Sequence, residues 1–304
     1  MSKKRLYIIG NGFDLHHGIQ SSYCNFKNYI KQIDGYLFEL VETYLSPYED
    51  WSDLEESLAK LDVDYLTDKA SSFLVSYGDD NWSDSYHHDY QYEIEQIVES
   101  LSTKLKENFT NWIKQLTIPS QSEVTEKQLD LDSNAKYLNF NYTNSLGKIY
   151  SIKKSNILFI HGSINRKQSD LILGHAWNPS AIEPMSEYDY ERLDTRVIDG
   201  IEIINQYFRK TFKPTSKLIK DNIDFFSNLQ IVSEIYVLGH SLSDVDMKYF
   251  KIIVENTNST KVQWVVSFYN KDEKEKHKQT MNKLGINQNI RFIQLNDLEK
   301  DGDN

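Results

Sequence analysis

The stretch Leu6-Tyr7-Ile8-Ile9-Gly10-Asn11-Gly12-Phe13-Asp14-Leu15-His16-His17-Gly18-Ile19 constrains the fold more than any other part of the chain. Four consecutive apolar residues ahead of Gly10 suit a strand buried on both faces, as in a parallel sheet covered by helices. Two glycines one residue apart then let the backbone approach another group with no Cβ in the way. The pattern reads as a first β-strand running into a glycine-rich turn, and a nucleotide phosphate is one group such a turn can approach. It departs from the G-x-G-x-x-G dinucleotide fingerprint, because Leu15 stands in the third glycine's place and the next glycine is Gly18. A tight turn with no ligand fits Gly10 and Gly12 equally well.

Further along, the apolar spacing is helical. Residues 23 to about 45 carry Phe26, Tyr29, Ile30, Ile33, Leu37, Leu40, Val41 and Tyr44 on one face, with Ser21 or Ser22 as the cap. Short helices follow from Trp51 and over 64–77, and residues 86–116 form one long apolar stripe from Tyr90 to Leu116. The polar stretch 119–134 reads as a loop. Strand patterns then return at 137–141, 156–160, 171–174, 234–239, 262–268 and 290–293, separated mostly by helical patterns at 188–228 (broken near Pro214), 244–255 and 272–284. Strands alternating with helices imply an α/β fold, a mostly parallel sheet with helices on both faces. We therefore expect one domain over 1–304, with 26–130 a mainly helical insertion after the first strand.

A formal net charge of -11 and a single cysteine, Cys24, narrow the function. The acidity argues against nucleic acid as partner, since proteins that grip the phosphate backbone cluster Lys and Arg. One cysteine excludes an internal disulfide and any zinc site needing two or more cysteines. No apolar run is long enough for a membrane span, so a cytoplasmic protein with no membrane partner is expected.

Polar residues gather at the C-terminal ends of the expected strands: Gly10 to Asp14, Asn141 to Thr143, His161-Gly162, His175, and Gly239 to Asp246. In an open parallel sheet that edge holds ligands at the switch point of the strand order, so clusters far apart in sequence can converge there. Each also has a structural explanation. Asn141 and Thr143 can cap a helix near Asn144, and Asp244 and Asp246 can sit in the first turn of another. His161 can be a satisfied strand-end histidine. His16 and His17 are expected on the solvent side or in a loop, with His17 and Asp14 able to meet a ligand. His87-His88 and the charged run 271–278 are expected at the surface. No pair shows metal-ligand spacing, and no metal is expected.

Two family resemblances follow from these motifs. Gly10 through Tyr23, together with Trp51-Ser52-Asp53-Leu54-Glu55, closely resembles the AbiH family of bacteriophage abortive infection. Four motifs, in the same order, are similar to SIR2-like NAD-consuming domains. Gly10-Asn11-Gly12 with Gly18-Ile19-Gln20 resembles their G-A-G and G-I-P segments. Asn141-Tyr142-Thr143 resembles T-N-Y-D, His161-Gly162 the catalytic H-G, and Gly239-His240-Ser241 the late G-x-S. Gln20 and Thr143 depart from the family's proline and aspartate, and the zinc cysteines of deacetylases are missing.

The resemblance implies a Rossmann-like fold that binds NAD as substrate and cleaves its nicotinamide–ribose bond. Asn141 would orient the ribose or water, His161 would act as general base, and Asp14 would stabilise developing positive charge. Gly10, Asn11, Gly12, Phe13, Ser22, Gly239, Ser241 and Asp244 would surround the nucleotide. The helical insertion is then a lid, a homo-oligomer interface or the sensor of a phage-derived trigger. Two rival expectations are a non-catalytic NAD or ADP-ribose sensor and a metal-dependent nuclease built on Asp14, Asp244 and Asp246.

Overall fold

A computed structural model describes residues 4–80, 82–83, 87–164, 171–186, 191–258 and 261–299. The apolar runs form β1 (Arg5–Ile9), β2 (Lys136–Asn139), β3 (Ile157–Phe159), β4 (Glu234–Leu238), β5 (Gln263–Ser267) and β6 (Ile290–Ile293). All pair in parallel in one sheet of order β3-β2-β1-β4-β5-β6. The chain builds outward from β1 to β3, then returns beside β1 and builds the other way. The order therefore reverses between β1 and β4, which is where this Rossmann-like architecture leaves a crevice at the carboxyl ends of its strands.

Alternation along β1 feeds two cores. Leu6 and Ile8 join Val237, Trp264, Val266, Phe250 and Met281, whereas Tyr7 and Ile9 join Tyr137, Phe13, Leu146 and Phe159. Successive strand residues point to opposite faces, so these are the two sides of the sheet. Helices Met247–Glu255 and Lys271–Lys283 cover the first, and Asn11–His16 and Ser145–Tyr150 the second. Register places Tyr7 opposite both Tyr137 and Tyr236, and the three rings stack at 4.9 Å spacings. Burial pushes the Tyr7 hydroxyl up to about 12.

The chain divides into two compact units: Met1–Ser22, Trp112–Ile172 and Pro214–Asn304 make the sheet unit, and Tyr23–Asn111 with Leu173–Lys213 make a helical one. Within the helical unit the expected helix over 23–45 is two, Tyr23–Ile33 and Gly35–Tyr44. Asp34 leaves helical geometry (φ -151, ψ 79) and its carboxylate caps the second helix at Leu37 N–H while pairing with Lys104. The stripe over 86–116 is likewise Asp89–Glu99, a π-helical turn Ser100–Lys104 and Leu105–Gln115. One extra residue per turn in the π segment keeps Leu101 and Leu105 buried, so the stripe looks continuous in sequence. The motif that opens at Trp51 has a structural task. Glu55 accepts a hydrogen bond from the Tyr23 hydroxyl at 2.7 Å and pairs with the wholly buried Lys213 ammonium, joining the two segments of this unit.

Residues 171–174 are not a strand, contrary to expectation. Leu171 and Ile172 are held instead by single bonds, Ile172 N–H to the His161 carbonyl and the Tyr142 hydroxyl to the Ile172 carbonyl, with no ladder to continue. No helix among the described residues is long and apolar enough to cross a membrane.

Candidate functional site at the strand-order switch point

The turn after β1 and the turn after β4 interlock. Gly10 N–H donates to the Leu238 carbonyl at 3.0 Å and Gly12 N–H to the Gly239 carbonyl at 2.7 Å. A Cβ on Gly239 would lie 2.1 Å from Phe13 N, and one on Gly10 2.5 Å from His240 Cα. Gly239 also has φ +63, the left-handed region where side chains are strained. Loop-on-loop contact thus accounts for these glycines, and the Gly10 and Gly12 amides, in the turn expected to approach a nucleotide phosphate, are used by carbonyls. Phe13 is a core ring packed on His17 and Tyr150, with its own N–H bonded to the Gly10 carbonyl. Asn11 is partly exposed and its side-chain oxygen accepts from the Ser21 hydroxyl; Ser22 is also partly exposed.

The loop after β2 closes on the same turn. Asn141 Nδ2 donates to the Gly10 carbonyl at 3.0 Å, and its backbone N–H to Asn139 Oδ1. Thr143 and Ser145 donate their hydroxyls to the two oxygens of Asp14, at 2.5 and 2.6 Å. Neither Asn141 nor Thr143 caps the helix Ser145–Tyr150, so the capping explanation fails for both. Asp14 is wholly buried, and desolvation raises its pKa against the lowering effect of Ser145, Thr143 and Asn141. Sealed in this way, its carboxylate holds two loops together and is not exposed to a ligand.

His17 lies in the turn that follows the helix Asn11–His16, one of its two expected places, but at 2 % exposed it is not on the solvent side. Tyr150 Oη accepts Leu129 N–H, so its own proton goes to His17 Nε2 at 2.6 Å, leaving His17 Nδ1–H to donate to the Phe13 carbonyl at 2.7 Å. Burial lowers its pKa to about 4. His175, expected at a strand end, lies instead in the helical unit, buried beside Phe208 and Phe212 and bonded through its backbone to Thr211 and Lys213.

The third group gathers around Asp246. His161, after β3, is buried with Nε2 3.6 Å from Asp246 Oδ1, and His240, after Gly239, has Nε2 3.5 Å from Asp246 Oδ2. The Phe140 ring stands edge-on to both imidazoles, at 5.2 and 4.4 Å between centroids. Asp246 is the N-cap residue of helix Met247–Glu255, yet its side chain caps no N–H and serves the histidines. Ser241 and Asp244, assigned to the nucleotide from sequence, are exposed. His240 and Asp246, to which the sequence reading gave no catalytic role, are the residues brought together with His161; Leu242 and Val245, which separate them along the chain, are also buried. Among the described residues no group of three or more His, Cys, Asp or Glu side chains is placed to hold a metal ion.

The fold and the gathered strand ends define an α/β protein with a polar, partly buried cluster at a Rossmann-like switch point. The family model for bacteriophage abortive infection AbiH matches residues 6–268, and the chain belongs to that family, which implies a role in abortive infection by phage. Comparison with curated proteins and with solved structures gives no match.

Proposed function

We propose that the protein is an antiphage effector that hydrolyses NAD to nicotinamide and ADP-ribose at this switch point, causing abortive infection. The observation that supports it most is the meeting of the β1, β2, β3 and β4 loops around Phe140, with Asn141 tied to Gly10 and His161 facing Asp246. The bond from nicotinamide nitrogen to ribose breaks through an oxocarbenium-like state, and nicotinamide leaves as a neutral base that needs no proton. A water oxygen then bonds to the ribose carbon and gives its proton to His161, which a nearby carboxylate makes a better acceptor. Asn141 orients ribose or water. Asp14 contributes by fixing the loop that carries Asn141. The helical unit would serve as a lid, as a homo-oligomer interface or as the sensor of a phage-derived trigger.

The test is to incubate the protein with NAD, alone and with phage lysate, and to measure nicotinamide and ADP-ribose. Release by the native protein and its loss in His161→Ala support the assignment; equal release by the variant overturns it. A non-catalytic NAD or ADP-ribose sensor is the second reading, favoured by the commitment of the Gly10 and Gly12 amides and of Asp14 to the fold. Binding by calorimetry without product would select it.

A further inference from the structure

We propose that Asp246 and His240 are positioning residues for His161, a carboxylate shared between two imidazoles that fixes the ring His161 presents to the reaction. The inference rests on the proposed role of His161 but concerns residues to which that role assigns nothing.

The tautomer of His240 follows from its contacts. Leu242 N–H donates to His240 Nδ1 at 2.9 Å, so that nitrogen is an acceptor and the ring proton of neutral His240 sits on Nε2. Nε2 stands 3.5 Å from Asp246 Oδ2, within ion-pair reach, and the carboxylate's other oxygen lies 3.6 Å from His161 Nε2. Phe140 and Phe250 pack edge-on against His240 at 4.4 and 5.1 Å, and Phe140 against His161, so neither ring turns without displacing an aromatic neighbour. Asp246 comes from the turn Asp244–Asp246 between β4 and the following helix, which makes β4 the source of two of the three groups. When His161 takes a proton, the imidazolium forms against a carboxylate already held in place. This costs no reorganisation at that moment. Titratable groups near these rings are Tyr142 and Tyr249 beside His161, and His277, from the helix Lys271–Lys283, within electrostatic reach of His240.

The experiment follows the His161 imidazole by NMR through a pH titration in the full chain, with His161→Gln used to assign its resonance. In Asp246→Asn the carboxylate is gone, the imidazolium loses its counter-charge, and the His161 midpoint falls by about one unit. In His240→Phe, which keeps an aromatic ring between Phe140 and Phe250 but removes the donor, the undivided carboxylate moves the midpoint upward. If NAD is turned over, the acid limb of log kcat/KM shifts down with the midpoint in Asp246→Asn while the plateau falls about 10- to 100-fold. A merely structural role predicts a loss of activity with the limb in place. An unchanged His161 midpoint in both variants overturns the proposal. Opposite shifts in a protein with no NAD turnover uphold the pairing and defeat the NAD reading alone.

Discussion

Asn141 Nδ2 donates to the Gly10 carbonyl at 3.0 Å across 131 positions of sequence, stitching the end of β2 to the turn after β1. That bond is buried, and its loss leaves the Gly10 carbonyl to the Phe13 N–H. Asn141→Ala should therefore lower stability by about 0.5–1.5 kcal/mol in chemical denaturation. It should also abolish nicotinamide release, whereas a purely structural Asn141 leaves activity in step with the folded fraction.

The interlocked turns after β1 and β4 predict a steep ranking among glycines. Gly239→Ala meets Phe13 N at 2.1 Å with φ +63 and should cost more than about 2 kcal/mol. Gly18→Ala carries a similar φ of +78 but has open space, and should cost only about 1 kcal/mol. Gly35→Ala, at a helix start with nothing near, should be neutral or stabilising by up to about 1 kcal/mol. Thermal melts of the three variants check the order.

Asp14 holds the hydroxyls of Thr143 and Ser145, and its replacement by Ala leaves both donors buried without their acceptor. A loss of about 2–4 kcal/mol is expected, read from denaturant midpoints. Thr143→Val with Ser145→Ala, which remove the donors but leave the carboxylate, should destabilise further at neutral pH than at pH 4, where protonation of the raised Asp14 carboxyl relieves the buried charge.

His17 makes the stability of the fold acid-sensitive. Its folded pKa of about 4 lies below the unfolded value of 6.5, so the unfolded chain binds the proton first as pH falls. Stability attributable to His17 is present above pH 6.5 and is lost progressively down to about 4, by up to about 3 kcal/mol. Denaturation curves over that range should flatten in His17→Gln; an unchanged slope counts against the assignment.

Where one local rule decides, the sequence shows the fold. The strands of the sheet follow from short apolar or alternating runs, and polar residues at their C-terminal ends mark the edge of interest; the strand order that puts the switch point between β1 and β4 comes from the structure. What escaped were choices set by distant partners. Residues 171–174 carry a strand's composition, but the Tyr142 hydroxyl and the His161 carbonyl occupy Ile172 and leave no ladder edge. His17 looked exposed because nothing nearby in sequence announces Tyr150, and Asp246 looked like a cap because its histidines arrive from β3 and β4. Asp34 ends a helix whose apolar period runs straight through it.

The central claim is that the turns after β1, β2, β3 and β4 surround one nucleotide. Titrating NAD into isotope-labelled His161→Ala, a variant expected to bind without turnover, and following backbone amides tests it directly. The account predicts that the amides of Asn11, Asn141, Gly162 and Ser241 shift together and saturate with one affinity; saturation of shifts elsewhere, with these four unmoved, would contradict it.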